Sequence, residues 1–347
     1  MPNAPQSALV AMSGGVDSAV AALLAMRGGL DCAGAIFLLH ANVNSGEENA
    51  REIAGRLRIP FHVLDFSFCF ASHVIDPFTT AYREGRTPNP CIDCNRHIKF
   101  GRFMEISREL GRDCVVTGHY ARVERDGSGR YLLKKGTDES KDQSYVLYML
   151  SQDQLARAVF PLGGLSKQQV RELSIAAGLE VADRPESQDI CFVPDGDYVK
   201  FIIGHTGISP RKGRFIDTDG NDLGRHDGII RYTVGQRRGL GLAMPHPPYV
   251  LEIRPEDDTV VVGKGDALYT RAFEARGVNL IPLDRIDTPL RARVKIRYGQ
   301  KEQPATVRQI GSDALRIEFD SPQRAIAKGQ AAVIYDGDTV IGGGTIA

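Results

Sequence analysis

From Ala8 to about Cys191, strand-like apolar runs alternate with amphipathic helical patterns, and this alternation narrows the folds open to the first half of the chain. ALVAM (Ala8–Met12) reads as a short buried strand, AVAALLAMR (Ala19–Arg27) as a helix, and AGAIFLL (Ala33–Leu39) and FHVLDF (Phe61–Phe66) as further strands. Ala50, Ile53, Ala54 and Leu57 recur at helical spacing, GRFMEISREL (Gly101–Leu110) is amphipathic, and CVVTG (Cys114–Gly118) is a strand ending in glycine. Strand–helix alternation implies an α/β fold, a parallel sheet with helices on both faces that binds ligands beyond the carboxyl ends of its strands.

The texture changes near Pro194. Gly/Asp punctuation and short alternating segments follow (RFIDTDGNDLG, DGIIRYTVGQ, YVLEIRPEDDTVVVG). From about Ala272, segments such as RARVKIRYG, ALRIEFD and AAVIYDGDTVIGGG read as short strands joined by tight turns, the pattern of a small antiparallel barrel. The expected division is a catalytic domain over 1–203, a small central β-rich domain over 204–270 and a carboxy-terminal β-barrel over 271–347.

Composition excludes several classes. No stretch approaches the roughly 20 apolar residues of a membrane helix, and MPNAPQSALV lacks the basic and apolar regions of a secretory signal, so a cytoplasmic protein with no membrane partner is expected. Six cysteines are sparse for a disulfide-stapled fold; Cys32, Cys69 and Cys114 lie in apolar segments and read as structural. Lysine plus arginine equals aspartate plus glutamate at 43 each, which neither signals nor excludes nucleic acid, because phosphates respond to local patches.

The first chemical signal is SGGVDS, Ser13–Ser18, between a predicted strand and helix. Gly14 and Gly15 are both expected to take positive φ and bring backbone N–H groups close to phosphate oxygens, with the helix amino terminus adding partial positive charge. Ser13 and Ser18 offer hydroxyls, and Asp17 could orient Mg2+ or its waters. The lysine of a Walker loop is missing. Three later stretches add to it. GRTPNPCIDCNRHIKFG (Gly85–Gly101) is stiffened by Pro88 and Pro90 and suits presenting Asn89, Cys91 and Cys94 to a ligand. ESQDICF (Glu186–Phe192) carries Cys191, and KDQSYVLY (Lys141–Tyr148) sets a polar head before an apolar strip.

SGGVDS resembles the pyrophosphate-binding loop of the adenine nucleotide α-hydrolase-like superfamily, whose members cleave ATP between the α and β phosphates. With TPNPxxxCN, TGHYAR (Thr117–Arg122), KDQSY, SQDICF, YTVGQRRGLG (Tyr232–Gly241), the Gly329–Gln330 pair and the closing GGGTI, nearly the whole chain resembles the MnmA/TrmU family of tRNA-specific 2-thiouridylases. The resemblance implies an ATP site at Ala11, Met12, Ser13, Gly14, Gly15, Val16, Asp17 and Ser18, with Phe37 and Gly118 adding backbone contacts. It implies that Cys94 is the first catalytic cysteine and Cys191 the persulfide carrier. Asn89, Pro90 and Cys91 would meet the target base, and His119, Lys141, Asp142, Gln143, Arg297, Tyr298 and Gln330 would touch tRNA. The expected cofactors are ATP and Mg2+. The expected partners are the tRNAs for lysine, glutamate and glutamine, modified at wobble uridine 34, and a cysteine desulfurase or sulfur-relay protein as donor.

The chemistry accounts for these residue types. A uracil C2 oxygen leaves poorly until AMP is attached to it; a persulfide on Cys191 is a soft nucleophile for that carbon, and Cys94 can free the sulfur by closing a Cys94–Cys191 disulfide. Nearby lysines or helix amino termini could lower the thiol pKa values. The chain departs from the family where many members carry aspartate and it has Cys91, which creates a CxxC with Cys94 and lets Cys91 compete as the resolving thiol. Glu186 replaces a commoner aspartate, and His40–Asn44 lacks a tryptophan often found there. Two other readings remain at this level: an amide-forming ATP pyrophosphatase with no use for paired cysteines, and an RNA-binding module with zinc held by Cys91, Cys94, Cys191 and His119.

Overall fold

The computed structural model describes residues 5–40, 46–179, 190–193 and 195–347. Its first seven strands are β1 (Ser7–Ala11), β2 (Asp31–Leu38), β3 (Phe61–Asp65), β4 (Cys114–Val116), β5 (Ala121–Arg125), β6 (Tyr131–Lys135) and β7 (Ala158–Val159). Five of them form a parallel sheet in the order β3-β2-β1-β4-β7, and β5 and β6 pair as an antiparallel hairpin. The expected α/β architecture is present. Helix Val16–Arg27 buries Ala19, Val20, Ala21, Ala22 and Ala25; these small side chains let it lie close against Ala8, Val10 and Ile36 of the sheet. Sheet order has one consequence for function. From β1 the chain adds β2 and β3 on one side and then returns to place β4 on the other, so the carboxyl ends of β1 and β4 flank a crevice.

Contacts divide the chain into two compact units, Met1–Val74 with Cys91–Pro194 and Gly337–Ile341, and Ile75–Pro90 with Asp195–Asp336 and Gly342–Ala347. The second unit therefore takes in Ile75–Pro90, which the linear reading assigns to the catalytic domain. Tyr82, on helix Asp76–Arg83, stacks on Tyr198 with ring centroids 4.5 Å apart, and Asp76 accepts a hydrogen bond from His205 at 2.9 Å.

The second unit also holds a four-stranded sheet of β8 (Gly213–Ile216), β9 (Asp222–His226), β10 (Tyr249–Arg254) and β11 (Thr259–Gly263), in the order β10-β11-β8-β9. Its core is Phe215, Ile229, Tyr232, Leu240, Val250, Val260 and Val262. The carboxy-terminal strands β12 (Tyr269–Leu280), β13 (Leu290–Lys295), β14 (Gln303–Gly311), β15 (Ala314–Arg324), β16 (Ala331–Asp336) and β17 (Thr339–Ile346) make an antiparallel barrel. It closes where β12 pairs with β17 through Ala275↔Ile346 and Asn279↔Gly343. Gly342 and Gly344 serve that closure: a Cβ on Gly344 would sit 2.9 Å from the Arg276 carbonyl oxygen. Among the described residues no helix is long and apolar enough to cross a membrane.

Gly163, after β7, accepts a hydrogen bond from Thr137 N–H at 2.9 Å, and a Cβ there would overlap the carbonyl oxygen of Ala121. Backbone at that distance cannot swing away as a side chain can, so Gly163→Ala lowers the unfolding free energy by about 1–3 kcal/mol. Urea titration against the wild-type chain measures it; an unchanged midpoint would contradict this packing.

Candidate active site

The loop after β1 enters the crevice under tight control. Met12 N–H donates to Ala35 O at 2.8 Å, which fixes where the loop leaves the sheet. Gly14 takes φ +75°, and a Cβ on it would lie 2.5 Å from the Gly46 carbonyl oxygen. Gly15 does not share this need. It is extended, with φ −100° and ψ 165°, so only one of the two glycines has the positive φ expected of both. Helix Val16–Arg27 starts at once, and no side chain caps it. Its first backbone N–H groups, which lack partners within the helix, point into the crevice mouth, where an anion can take them.

The two serines divide the work. Ser18 is buried, donates to Gly15 O at 2.9 Å and accepts from Ser13 N–H at 3.2 Å, so its hydroxyl shapes the loop. Ser13 is exposed and accessible to a ligand. Asp17 accepts from Tyr120 O–H at 2.8 Å, and the Lys167 ammonium meets both of its carboxylate oxygens at 2.8 Å. Lys167 is absent from the sequence-level site, yet it opens helix Lys167–Ala176 behind a Ser166/Gln169 capping box. A lysine in a first helical turn opposes the helix dipole, and that misfit is the signal that could have found it.

From the β4 side come Thr117, Gly118, His119 and Tyr120. A Cβ on Gly118 would approach Asp17 C to 3.1 Å and Ser18 N to 3.2 Å, so glycine lets this segment lie directly on the start of the first helix. Phe37, at the end of β2, packs its ring on Phe66 and Phe103 at 5.1 and 4.7 Å, which leaves its backbone as the part a nucleotide can reach.

Several residues expected to touch tRNA are engaged inside the protein. Asp142 is buried and accepts from Gly136 N–H at 3.1 Å, Ser144 N–H at 3.0 Å and Ser144 O–H at 2.9 Å. Gln143 pairs with Tyr120 in both directions, its Oε1 accepting from Tyr120 N–H at 3.0 Å and its N–H donating to Tyr120 O at 2.9 Å. Asp142 thereby fixes the turn at Gly136 and Ser144, and Gln143 holds the end of the Thr117–Tyr120 segment. His119 is likewise buried, among Phe100 and Phe160, and burial together with the nearby Lys99 charge keeps it far below the usual histidine pKa. Asp142 and His119 are thus buried and Gln143 half-buried, each with a partner inside the protein. Lys141 is half-buried beside them, on the turn closed by its own N–H to Asp138 O.

Arg297 and Tyr298 lie in a turn beyond β13, where the sequence suggests strand; β13 ends at Lys295. Arg297 donates to Ala325 O, and Tyr298 is 47% exposed. Gln330 donates from Nε2 to Thr87 O at 2.9 Å, while Thr87 N–H donates to Lys328 O at 2.8 Å. The Gly329–Gln330 pair thus clamps the segment that carries Asn89 and Pro90. Glu186, Ser187, Gln188 and Asp189 of the Cys191 motif, and 41–44 after β2, lie outside the described residues.

All six cysteines are thiols. Cys91 sits on the short helix Pro90–Asp93, and Cys94 opens the π-helix Cys94–Arg102, whose neighbour Asn95 donates to Val146 O at 3.0 Å. Cys191 lies on a turn closed by Val193 N–H to Ile190 O, anchored by the fully buried Phe192 edge-on to Phe70 at 5.6 Å. Cys91 and Cys191 present surface to solvent, yet enough protein surrounds their sulfurs to disfavour the anions. Burial raises the pKa of both thiols and pushes Cys94 up to about 12. Cys94 also feels the charges of Cys191 and Cys91, so the three sulfurs share one neighbourhood. Lys99 supplies the positive charge that opposes burial at all three. Asp93, raised to about 6 by burial against the pull of Arg96, adds negative charge beside Cys91 and Cys94. Cys32 and Cys114 are buried in the sheet core and pushed up to about 11 and about 12, as suits structural thiols. Among the described residues no group of three or more His, Cys, Asp or Glu side chains is arranged to hold a metal ion.

The unequal glycines give a test of the loop. Gly14→Ala forces positive φ on a side chain that also meets the Gly46 carbonyl, and lowers stability by about 1–3 kcal/mol. Gly15→Ala meets only Ser13 Oγ at 3.5 Å and changes stability by less than about 1 kcal/mol. Thermal or urea unfolding of the two variants checks the ranking; equal losses would refute it.

Comparison with known proteins agrees over the full length. Residues 6–195 match a family described as the tRNA methyl transferase HUP domain, 200–264 its PRC-barrel domain and 270–346 the aminomethyltransferase beta-barrel domain. The tRNA-specific 2-thiouridylase MnmA of Clostridioides difficile (strain 630) is 45% identical over 97% of this chain and 97% of its own. That of Carboxydothermus hydrogenoformans is 47% identical over 97% of this chain and 96% of its own, and that of Lachnoclostridium phytofermentans 43% over 97% and 98%. With an α/β sheet, a central β-rich segment and a closed barrel in that order, the chain belongs to the MnmA family of tRNA-specific 2-thiouridylases.

Proposed function

We propose that this chain is an ATP-dependent tRNA-uridine 2-sulfurtransferase acting on wobble uridine 34 of the tRNAs for lysine, glutamate and glutamine. The observation that carries the reading is the gathering of Cys91, Cys94 and Cys191 around the Lys99 charge, in the same compact unit as the SGGVDS loop.

The nucleotide's phosphates suit the Gly14–Val16 backbone, the exposed Ser13 hydroxyl and the uncapped start of the first helix. Magnesium suits one carboxylate plus substrate phosphates, and Asp17 would hold it only by exchanging the Lys167 ammonium that meets both of its oxygens; the ion would neutralise phosphate charge. The uracil 2-oxygen attacks the α-phosphorus and pyrophosphate leaves, so that C2 carries AMP as its leaving group. The terminal sulfur of the Cys191 persulfide then attacks C2 and AMP departs. The Cys94 thiolate attacks the Cys191 sulfur, breaks the S–S bond and leaves 2-thiouridine, and a dithiol reductant returns two electrons to the Cys94–Cys191 disulfide. A cysteine desulfurase or sulfur-relay protein reloads Cys191. Asn89, Pro90 and Cys91 are the segment offered to the unstacked base; Lys141, Arg297 and Tyr298 are the side chains offered to RNA.

The test is sulfur transfer to a tRNA anticodon stem-loop with MgATP and a persulfide-loaded desulfurase. Cys191→Ser falls to background, and Cys94→Ser stalls before product release, while Cys91→Ser keeps most of the activity. Full thiolation by Cys191→Ser would sink the reading. Activity kept by Cys94→Ser and lost by Cys91→Ser would move the resolving role to Cys91.

A further inference from the structure

Two enclosed side chains and a half-buried lysine lead from the sheet toward the sulfurs. Thr117 and His119 are both buried, and His119 Nδ1 lies 2.7 Å from Thr117 Oγ1. On the far side of the ring, Nε2 lies 3.5 Å from Lys99 Nζ. An ammonium can only donate, so Nε2 must be the bare nitrogen and Nδ1 must carry the proton, which it gives to the threonine oxygen. A histidine kept neutral by burial is what this arrangement requires; an imidazolium would repel the lysine.

The helix carrying Lys99 is wound to match. In an α-helix, a residue five places beyond Cys94 would lie about 140° round the axis, on another face. Cys94–Arg102 is π-helical, and its i→i+5 bonding, as from Phe103 N–H to Ile98 O, turns Lys99 back toward the face of Cys94. Gln154 Nε2 donates to Phe100 O at 2.7 Å and Asn95 Nδ2 to Val146 O at 3.0 Å, bracing this turn on both sides of Lys99.

We infer that Lys99 is the counter-ion for the sulfur anions of Cys191 and Cys94, and that His119, seated on Thr117, is the positioning residue that aims its ammonium at them. This deepens the sulfur-transfer reading and rests on it for its use. It gives a lysine of the proline-stiffened Gly85–Gly101 segment a defined place beside the reaction, and it gives the buried histidine of TGHY a role within the protein. Among the described residues the groups acting on Cys191 are Lys99 and the Cys91 thiol, with Asp93 added at Cys91 and Cys94, so removing the ammonium takes away the charge that favours the thiolates.

The experiment needs no ATP, RNA or sulfur donor, so it can fail independently of the sulfur-transfer reading. The full-length reduced chain is alkylated with iodoacetamide between pH 6 and 10, and labelling of each cysteine is followed by peptide mass spectrometry. In Lys99→Met the Cys191 profile moves up by about one pH unit, an approximately tenfold slower labelling below its midpoint. Lys99→Arg, which keeps the charge, stays close to wild type. His119→Leu moves the profile in the same direction by a smaller amount. Cys32 and Cys114 stay protected throughout and report that the sheet core is intact; if Lys99→Met unmasks them, Lys99→Gln replaces it under the same readout. Superimposed Cys191 profiles for wild type and the neutral variant, or an arginine variant that behaves like the neutral one, would overturn the inference.

Discussion

The candidate site depends on the crevice made where the parallel sheet reverses its order of strand addition. β1 has β2 on one side and β4 on the other, so the segments leaving β1 and β4 must diverge around a gap at their carboxyl ends. That gap is then tied across. Tyr120, 103 residues beyond Asp17, and Lys167, 150 residues beyond it, both reach its carboxylate. Gly118 lets the β4 segment rest on the helix start with no side chain between them. An anion-binding loop, a carboxylate and a cation are thereby held at fixed spacing before any ligand arrives, the preorganisation that makes electrostatic stabilisation effective.

The same enclosure creates a problem at the sulfurs. Burial disfavours a thiolate at all three positions and puts Cys94 far above neutral pH. Among the described residues the cation that opposes it is Lys99, from a helical turn of unusual pitch. A π-helical stretch of nine residues is rare, and here it is braced by its Asn95 side chain on the Val146 carbonyl and by the Gln154 side chain on its own Phe100 carbonyl. The fold thus places an unusual helical pitch and a charge in one segment, beside the thiols.

What the sequence makes legible follows from the range of the interactions involved. Strand–helix alternation and the strand–turn pattern of the barrel are local, and both architectures are present. The loop was readable as a phosphate cradle, but the separate needs of Gly14 and Gly15 were not, because they are set by the Gly46 carbonyl more than thirty residues away. Asp142 and Gln143 look like solvent-facing polar residues in isolation; only Gly136 and Tyr120, brought back by the chain, turn them inward. Arg297 and Tyr298 continue an alternating pattern past the point where pairing stops. Lys99 escaped because Pro88 and Pro90 make its segment read as a stiff loop, whereas the chain turns helical from Pro90 and π-helical from Cys94; Lys167 escaped because the sequence does not display the distant carboxylate that captures it.

Burial at the thiols also has a chemical use under the sulfur-transfer reading. A persulfide is more acidic than the thiol that carries it, since its charge rests on a terminal sulfur bonded to another sulfur. An environment that raises both pKa values while offering one ammonium therefore separates the two forms: the unloaded thiol stays protonated and slow to oxidise, and the loaded one ionises. With Cys91, Cys94 and Cys191 in one neighbourhood, three ready thiolates would close disulfides among themselves between turnovers. Under that reading, loading would put the more acidic group on Cys191, beside the Lys99 charge, while Cys94 would still have to lose its proton to release the product.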